Sequence, residues 1–227
     1  MKAPLKLSEA ISAIDKAGIL LVFPINNRKE PKSLWTTFFP RSEMRWEWDD
    51  GGDGRVANLW HLREELSRSQ KVVYAKWYQG RATFFSRKVF TAMLSRLLKS
   101  PLPPLSKDAS RILRTLQENS PLSTKRLKAA TDFQGKFMTP AYEKALKQLW
   151  QRLLIVGFGE VDDGAFPSLA IGATSLLFED LWREANELDV RSAYETICEY
   201  FPEDEELFLK AFHRMCGKEV AAHRGIV

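Results

Sequence analysis

The amino-acid sequence predicts an α+β protein that is mostly helical and carries short β-hairpins. Apolar residues recur at helical spacing in several segments, which indicates amphipathic helices. Two turn signals, Gln79-Gly80 and Asp162-Asp163-Gly164, are each flanked by segments typical of strands. The chain has 227 residues, of which 44% are hydrophobic. That composition is ordinary for a globular protein and excludes disorder as a description of the whole.

Residues 1–99 are predicted to form a mixed α+β unit. A short helix, with Ser8 as candidate N-cap, ends at Gly18, and residues 19–23 form a buried strand. A helix follows over residues 59–69. Strands at 72–78 and 81–85 then flank the tight turn Gln79-Gly80, and Ser86 caps a last helix.

The segment 100–106 contains three prolines, which forbid a helix and favour an extended linker. Beyond it, an apolar stripe predicts a helix that ends at Asn119-Ser120-Pro121. Ser123 caps a short second helix, and Thr139-Pro140 begins a third that runs to about residue 153. Residues 154–161 and 165–171 can then pair as a hairpin.

Three short helices followed by a hairpin is the order of elements in a winged helix, so we predict a winged-helix domain over residues 107–173. The fold also serves as a dimerisation or scaffolding module, so fold alone does not establish DNA binding. A helix followed by a hairpin recurs in residues 1–99, which raises the alternative of a degenerate second winged helix there.

Residues 174–227 are predicted to form an acidic helical cap, with helices over 176–187, 191–200 and 205–222, packed on the other units. The alternative is that these acidic helices dock a protein partner.

The formal net charge of +5 is unevenly distributed. Residues 1–100 carry +8, residues 101–173 carry +3, and residues 174–227 carry −6. Such asymmetry favours a basic surface suited to a polyanion, although scattered basic residues would give the same counts.

The third predicted helix presents one polar, basic face. Its cations can neutralise phosphates and its amides can reach base edges, although a merely solvated face explains the same residues. The candidate nucleic-acid contacts are Lys136, Lys144, Lys147, Gln148, Gln151 and Arg152 on and around this helix, Lys125, Arg126 and Lys128 on the second helix, and Lys76 and Arg81 at the first hairpin.

Further candidates surround the first hairpin. Arg63, Arg68 and Arg87 extend its basic set. Aromatic residues are interleaved with these cations and allow base stacking, whereas strand alternation favours at least half of them in the core; they are Tyr74, Trp77, Tyr78 and Phe84.

The segment 45–55 combines two tryptophans with four carboxylates. One hypothesis makes the carboxylates a general acid and base, with Trp46 or Trp48 as a stacking platform; the candidates are Glu47, Asp49, Asp50 and Asp53. The interpretation that we favour is structural, with the tryptophans anchoring a loop whose Asp/Gly cluster forms a turn.

Other chemistry lacks support in the sequence. Cys198 and Cys216 form no CxxC pair, so we expect buried thiols and no metal. Nucleotide-binding and hydrolase motifs are absent, and we expect no cofactor. The longest nearly apolar run is too short to span a membrane, and the N-terminus lacks the pattern of a signal peptide, so we expect a cytoplasmic protein.

Three segments of the chain resemble the bacterial AlkZ-like family of alkylpurine and crosslink-repair DNA glycosylases, which are built from tandem winged helices. The segments are residues 107–171, Leu59-Trp-His-Leu-Arg-Glu-Glu-Leu66 and Val72-Val-Tyr-Ala-Lys-Trp-Tyr-Gln-Gly-Arg81. The resemblance implies a cytoplasmic DNA-binding protein related to base-excision repair. It is strongest over the predicted winged helix and weaker across residues 1–98.

The resemblance also implies a catalytic pair, a glutamine followed two positions later by glutamine or aspartate, which positions and activates the attacking water. None of the glutamines in this chain has such a partner; they are Gln70, Gln79, Gln117, Gln134, Gln148 and Gln151. The sequence therefore predicts a shortened relative that binds DNA mainly through the backbone and lacks glycosylase activity of its own. Two alternatives remain, a DNA glycosylase that uses the carboxylates of residues 47–53 and a protein-interaction module.

Overall fold

The computed structural model of the protein describes residues 5–46, 53–163, 167–202 and 207–216. Within these ranges the elements follow in the order α1 (Leu7–Ala17), β1 (Ile19–Leu21), α2 (Leu34–Phe38), α3 (Gly54–Arg68), β2 (Val72–Ala75), β3 (Thr83–Ser86), α4 (Arg87–Lys99), α5 (Lys107–Glu118), β4 (Leu122–Ser123), α6 (Thr124–Ala130), α7 (Thr139–Gln151), β5 (Ile155–Val161), β6 (Ser168–Ala173), α8 (Thr174–Leu177), α9 (Glu179–Glu187), α10 (Val190–Tyr200) and α11 (Leu207–Cys216). A 3₁₀ turn, Lys136–Met138, precedes α7. The predicted class, α+β and mostly helical, is confirmed.

The strands form one six-stranded antiparallel sheet in the order β1-β3-β2-β5-β6-β4. The first hairpin, β2 and β3, meets the second, β5 and β6, where Tyr74 pairs with Gly157. The sheet is therefore continuous from residues 1–99 into residues 107–173, which the sequence did not predict.

The first hairpin turns at Gln79 and Gly80, whose φ angles are 53° and 74°. The N–H of Arg81 donates to the carbonyl of Tyr78 at 2.9 Å and closes the turn. Two successive positive φ angles are what the central residues of a tight β-turn of type I′ require, and glycine adopts one without strain. This turn lies within the connection from Ala75 to Thr83. The predicted hairpin is confirmed, with strands shorter than expected.

The segment from α5 to β6 contains the predicted three helices and hairpin. Ser123 caps α6 by accepting a hydrogen bond from the N–H of Arg126 at 3.1 Å, as predicted. The two-residue strand β4 was not predicted and pairs with β6. The order of elements agrees with the winged-helix prediction, which itself stays a prediction, as does a second winged helix in residues 1–99.

Two hydrophobic cores lie against the sheet, and alternate strand residues feed each of them. The larger core takes Val73 and Phe85 from the strands and packs α4, α5, α7 and the C-terminal helices. The smaller core takes Tyr74 and Phe84 and packs α1, α2 and α3. The larger core takes side chains from each of the ranges 1–99, 107–173 and 174–216. These three ranges therefore fold around a shared interior.

The C-terminal helices pack on α4, and their division from the rest of the chain as a separate acidic cap stays a prediction. Arg87 of α4 pairs with Asp180, and Lys88 pairs with Glu199 at 2.7 Å. No helix within the described ranges is long and apolar enough to cross a membrane.

Two helix starts differ from the sequence predictions. The proposed Ser8 cap is wrong, because α1 begins at Leu7 with Lys6 as its N-cap and no side-chain cap bond. The helix α3 begins at Gly54 rather than near residue 59, because the carboxylate of Asp53 accepts from the N–H of Arg55 and starts the helix earlier.

Candidate nucleic-acid interface

A cleft of about 680 Å³ opens where the turn of the first hairpin, α6, α7 and β6 meet. Three lysines line it, and each comes from a different part of the chain: Lys76 follows β2, Lys128 lies on α6 and Lys147 lies on α7. One carboxylate, that of Glu143, is in the lining. The rest of the wall is largely apolar, from Tyr142, Leu146, Trp150, Leu169 and Ile171. This combination is typical of a site for an organic anion.

A second cleft of about 560 Å³ lies along the neighbouring face of α7. Gln79 and Lys147 line both clefts, so the two form one grooved surface around the hairpin turn and α7. Its further polar lining is Gln148, Gln151, Arg152 and, from α11, Arg214.

The orientation of α7 follows from its sequence. Pro140 in its first turn costs no hydrogen bond, because the N–H that proline lacks has no partner within the helix at that position. Tyr142, Ala145 and Leu149 are buried against the larger core. The opposite side therefore faces solvent, with Lys144 and Lys147 both exposed as predicted.

Lys76 has an unusual electrostatic setting. Surrounding protein desolvates its ammonium and lowers its pKa, and the positive charge of Arg63 lowers it further. Among the described residues no acidic side chain forms an ion pair with Lys76. The Lys76 side chain is itself exposed to solvent, so a phosphate can reach it.

Tyr142 is 2% exposed, and the ammonium of Lys128 lies 5.0 Å from the centre of its ring. Within the part of the chain that the structure describes, the Tyr142 hydroxyl has no hydrogen-bond partner. Burial raises the pKa of this phenol, so the hydroxyl keeps its proton and remains a donor.

Three predicted contact residues already have partners within the chain. The ammonium of Lys125 donates to the carbonyl of Asp163 at 2.9 Å. Gln148 accepts from the N–H of Ser106 at 3.0 Å, and Arg152 donates to the carbonyl of Pro103 at 2.5 Å. Gln148 and Arg152 thus fasten the linker to α7. By contrast, Lys136, Arg126 and Arg81 are exposed, and Gln151 is half-buried.

The remaining arginines near the first hairpin are held in ion pairs. Arg63 is buried and pairs with Glu160, while Arg68 pairs with Glu64 at 3.0 Å. Arg87 pairs with Asp180. Their carboxylate partners offset much of their charge, so they add little to the attraction of a polyanion.

The hypothesis of base stacking on the hairpin aromatics is wrong. All four side chains are at most 4% exposed, because the two faces of the sheet are each covered by a core; they are Tyr74, Trp77, Tyr78 and Phe84. The alternative that placed at least half of them in the core is confirmed.

Of the candidate catalytic carboxylates, Glu47, Asp49 and Asp50 lie outside the described residues, as does Trp48. Asp53 caps α3 and pairs with Arg55, whose hydrogen bonds hold the pKa of this carboxyl below its ordinary value. Asp53 is therefore an ionised structural group. Trp46 contacts the ring of Phe23, with 5.3 Å between centroids, which agrees with an anchoring role.

The sequence analysis did not predict Glu143 and Trp150 as cleft residues. It also did not predict that Phe137, in the 3₁₀ turn before α7, would be a large apolar residue exposed to solvent, at 99%. Gly135 and Pro140 lie on either side of this segment, and they were a local signal that it forms a turn. The cleft itself had no local signal, because it depends on the pairing of β2 with β5. No group of three or more His, Cys, Asp or Glu suited to a metal occurs among the described residues.

The fold and the cleft define a small α+β protein whose two hairpins share one sheet and flank a basic, apolar-walled groove. A family model described as AlkZ related matches residues 5–211. The chain belongs to this family, which confirms the resemblance seen in the sequence. None of the curated proteins and none of the solved structures compared with the chain matches it.

Proposed function

We propose that the protein binds DNA in a repair context through the surface around the hairpin turn and α7, mainly by contacts to phosphates, and that it lacks the glutamine-dependent glycosylase chemistry of its relatives. The observation that carries the proposal is the convergence of Lys76, Lys128 and Lys147 on one cleft. Membership of the AlkZ-related family supports a role in DNA repair.

The pattern of ion pairs leaves cations of α7 available to a ligand. Arg63, Arg68 and Arg87 have carboxylate partners. Lys144 and Lys147 form no ion pair within the described ranges and are exposed, so they remain available to phosphates. Unpaired cations on a convex helix beside a groove suit the DNA backbone.

Fluorescence anisotropy with a labelled duplex tests the proposal. If about four lysines neutralise phosphates, affinity should fall by roughly 100-fold when salt rises from about 50 to about 200 mM, because each contact releases counterions. Lys144→Glu with Lys147→Glu should weaken binding across unrelated sequences, because phosphate contacts carry no base information.

A matched control is Lys6→Glu with Lys16→Glu. Both lysines are exposed on or beside α1, which packs in the smaller core on the other face of the sheet. The control changes net charge by the same amount, so it should weaken binding far less. Equal loss in the two double variants, or unchanged affinity in the α7 variant, would remove α7 from the contact surface.

The prediction of a protein partner at the acidic C-terminal helices stays a prediction. Two of their carboxylates, Asp180 and Glu199, pair with α4. Large apolar side chains exposed in this part of the described chain are Leu176, Val190 and Leu207.

A further inference from the structure

One large apolar side chain, that of Phe137, lies in solvent immediately before α7. Phe137 is 99% exposed, whereas the other exposed large apolar residues in the described part of the chain are between 37% and 50% exposed. It takes no part in either hydrophobic core. A phenyl ring left in water forgoes the stabilisation that burial gives, so a ligand that covers the ring recovers it.

The backbone that carries Phe137 is anchored on both sides. Phe133 before it and Tyr142 after it are buried in the larger core, with 5.5 Å between their ring centres. Between them, the N–H of Met138 donates to the carbonyl of Gly135 at 3.2 Å and closes the 3₁₀ turn. Because the segment is already held in place, a ligand that contacts the ring does not have to order a loop.

Phe137 lies at the N-terminal end of the α7 surface that carries the unpaired lysines. Met138 and Thr139 both have a right-handed helical backbone, so the turn leads directly into α7. Lys144 and Lys147 follow Phe137 by seven and ten residues, a spacing typical of one helix face. At the rise of a helix they lie about 10 and 15 Å further along the axis, so a DNA duplex that contacts them also reaches Phe137.

The charge around Phe137 indicates what covers it. Residues 124–147 carry six basic side chains and two acidic ones. One of these acids, Asp132, lies 3.9 Å from the guanidinium of Arg111. A second copy of this chain would bring like charges together here, whereas the basic excess attracts a polyanion. A DNA duplex combines an anionic surface with an aromatic interior of stacked bases, so it matches both the cations and the ring.

We propose that Phe137 inserts its ring into the base stack of bound DNA, at a step where stacking is already weakened by a mismatched pair. The inference rests on the proposed DNA binding. Apolar wedges, phenylalanine among them, enter between base steps and unstack them, and unstacking costs least at a mismatched base. Phe137 thus supplies a discrimination between DNA substrates that phosphate contacts do not provide.

The test compares two duplexes that differ only in one central T·T mismatch, each with 2-aminopurine beside the central pair. Wild type should bind the mismatched duplex about tenfold more tightly, the gain typical of one base–aromatic stack, and should raise the 2-aminopurine emission by unstacking that base. Phe137→Ala should bind the two duplexes equally and leave the emission unchanged at saturation. Phe137→Trp keeps a flat ring and should retain both effects.

Leu176→Ala is the matched control. It removes another exposed apolar side chain, 50% exposed on α8 and outside the proposed surface, and should behave as wild type. Because Phe137 belongs to neither core, Phe137→Ala should also keep the urea midpoint of wild type, which separates lost stacking from lost folding.

Equal affinity of wild type for the two duplexes, or a preference that persists in Phe137→Ala, overturns the inference and leaves the proposed function standing. So does a Phe137→Ala variant that changes only the oligomeric state in size-exclusion chromatography, because the ring would then join two copies of the chain. Absence of binding to either duplex at low salt overturns both.

Discussion

Gly157 sets how closely the two hairpins approach each other. It stands opposite Tyr74 at the junction of β2 and β5. A Cβ on Gly157 would lie 2.2 Å from Cδ1 of Tyr74 and 3.2 Å from Cδ1 of Leu169. Because the Tyr74 ring is buried within the smaller core, it cannot move aside without disturbing its neighbours.

Gly157→Ala should therefore lower the free energy of unfolding by about 1 to 3 kcal/mol through overpacking at this junction. Gly54→Ala is the matched control, since a Cβ there meets nothing within 4 Å and alanine favours the helix that Gly54 begins. Urea denaturation of the two variants checks the prediction. Equal midpoints for both would show that the junction tolerates a side chain.

At the scale of elements, local signals account for what the sequence predicted well. Ser86 and Ser123 were predicted as N-caps, and both act as N-caps. Such a cap can be predicted because the serine hydroxyl accepts from an N–H three residues later in the same segment, with no need for a tertiary contact. The two faces of α7 likewise follow from helical spacing.

Long-range partners were beyond sequence reasoning. Gln148 and Arg152 fit the pattern of the α7 contact face. Their actual partners, Ser106 and Pro103, lie in the linker, far earlier in the chain. The candidate cleft was missed for the same reason. It exists because β2 pairs with β5 through Tyr74 and Gly157, and a single distant pair leaves no periodic trace.

The start of α6 provides a prediction for one element. Ser123 accepts from the N–H of Arg126 and donates to Asp163 in the turn after β5, so it joins helix to hairpin. Ser123→Ala should lower the free energy of unfolding by about 1 kcal/mol, or up to about 2, because both bonds are lost. Ser123→Thr keeps the hydroxyl and should recover most of the loss in a thermal or urea melt. If threonine is as destabilising as alanine, the capping interpretation fails.

Over the whole molecule, the net charge of a segment does not show which of its cations are available, because some of them form ion pairs with carboxylates of other segments. Residues 1–100 carry a net charge of +8. Part of that excess lies on α4, where the acidic C-terminal helices pair with Arg87 and Lys88. Among the described residues, Lys144 and Lys147 on α7 form no ion pair, so they stay available on the surface that we propose for DNA.

Besides the pairing of β2 with β5, the ion pair of Arg63 on α3 with Glu160 on β5 joins the two halves of the molecule, residues 1–99 and residues 107–173. The side chains are 6% and 14% exposed, and the guanidinium also lies 4.0 Å from the ring centre of Trp60. Removing one partner of such a pair leaves the other charge in a poorly solvated place, which costs more than the pair itself contributes.

Glu160→Gln should accordingly lower the free energy of unfolding by about 3 kcal/mol. Glu179→Gln, in an exposed pair with Arg183, should change it by less than about 1 kcal/mol. Because the sheet and the larger core run through both halves, the loss should appear in one transition, with equal midpoints by tryptophan fluorescence and far-UV circular dichroism. Separate midpoints in Glu160→Gln would mean that the halves unfold independently and that the cleft between them is not held by the fold.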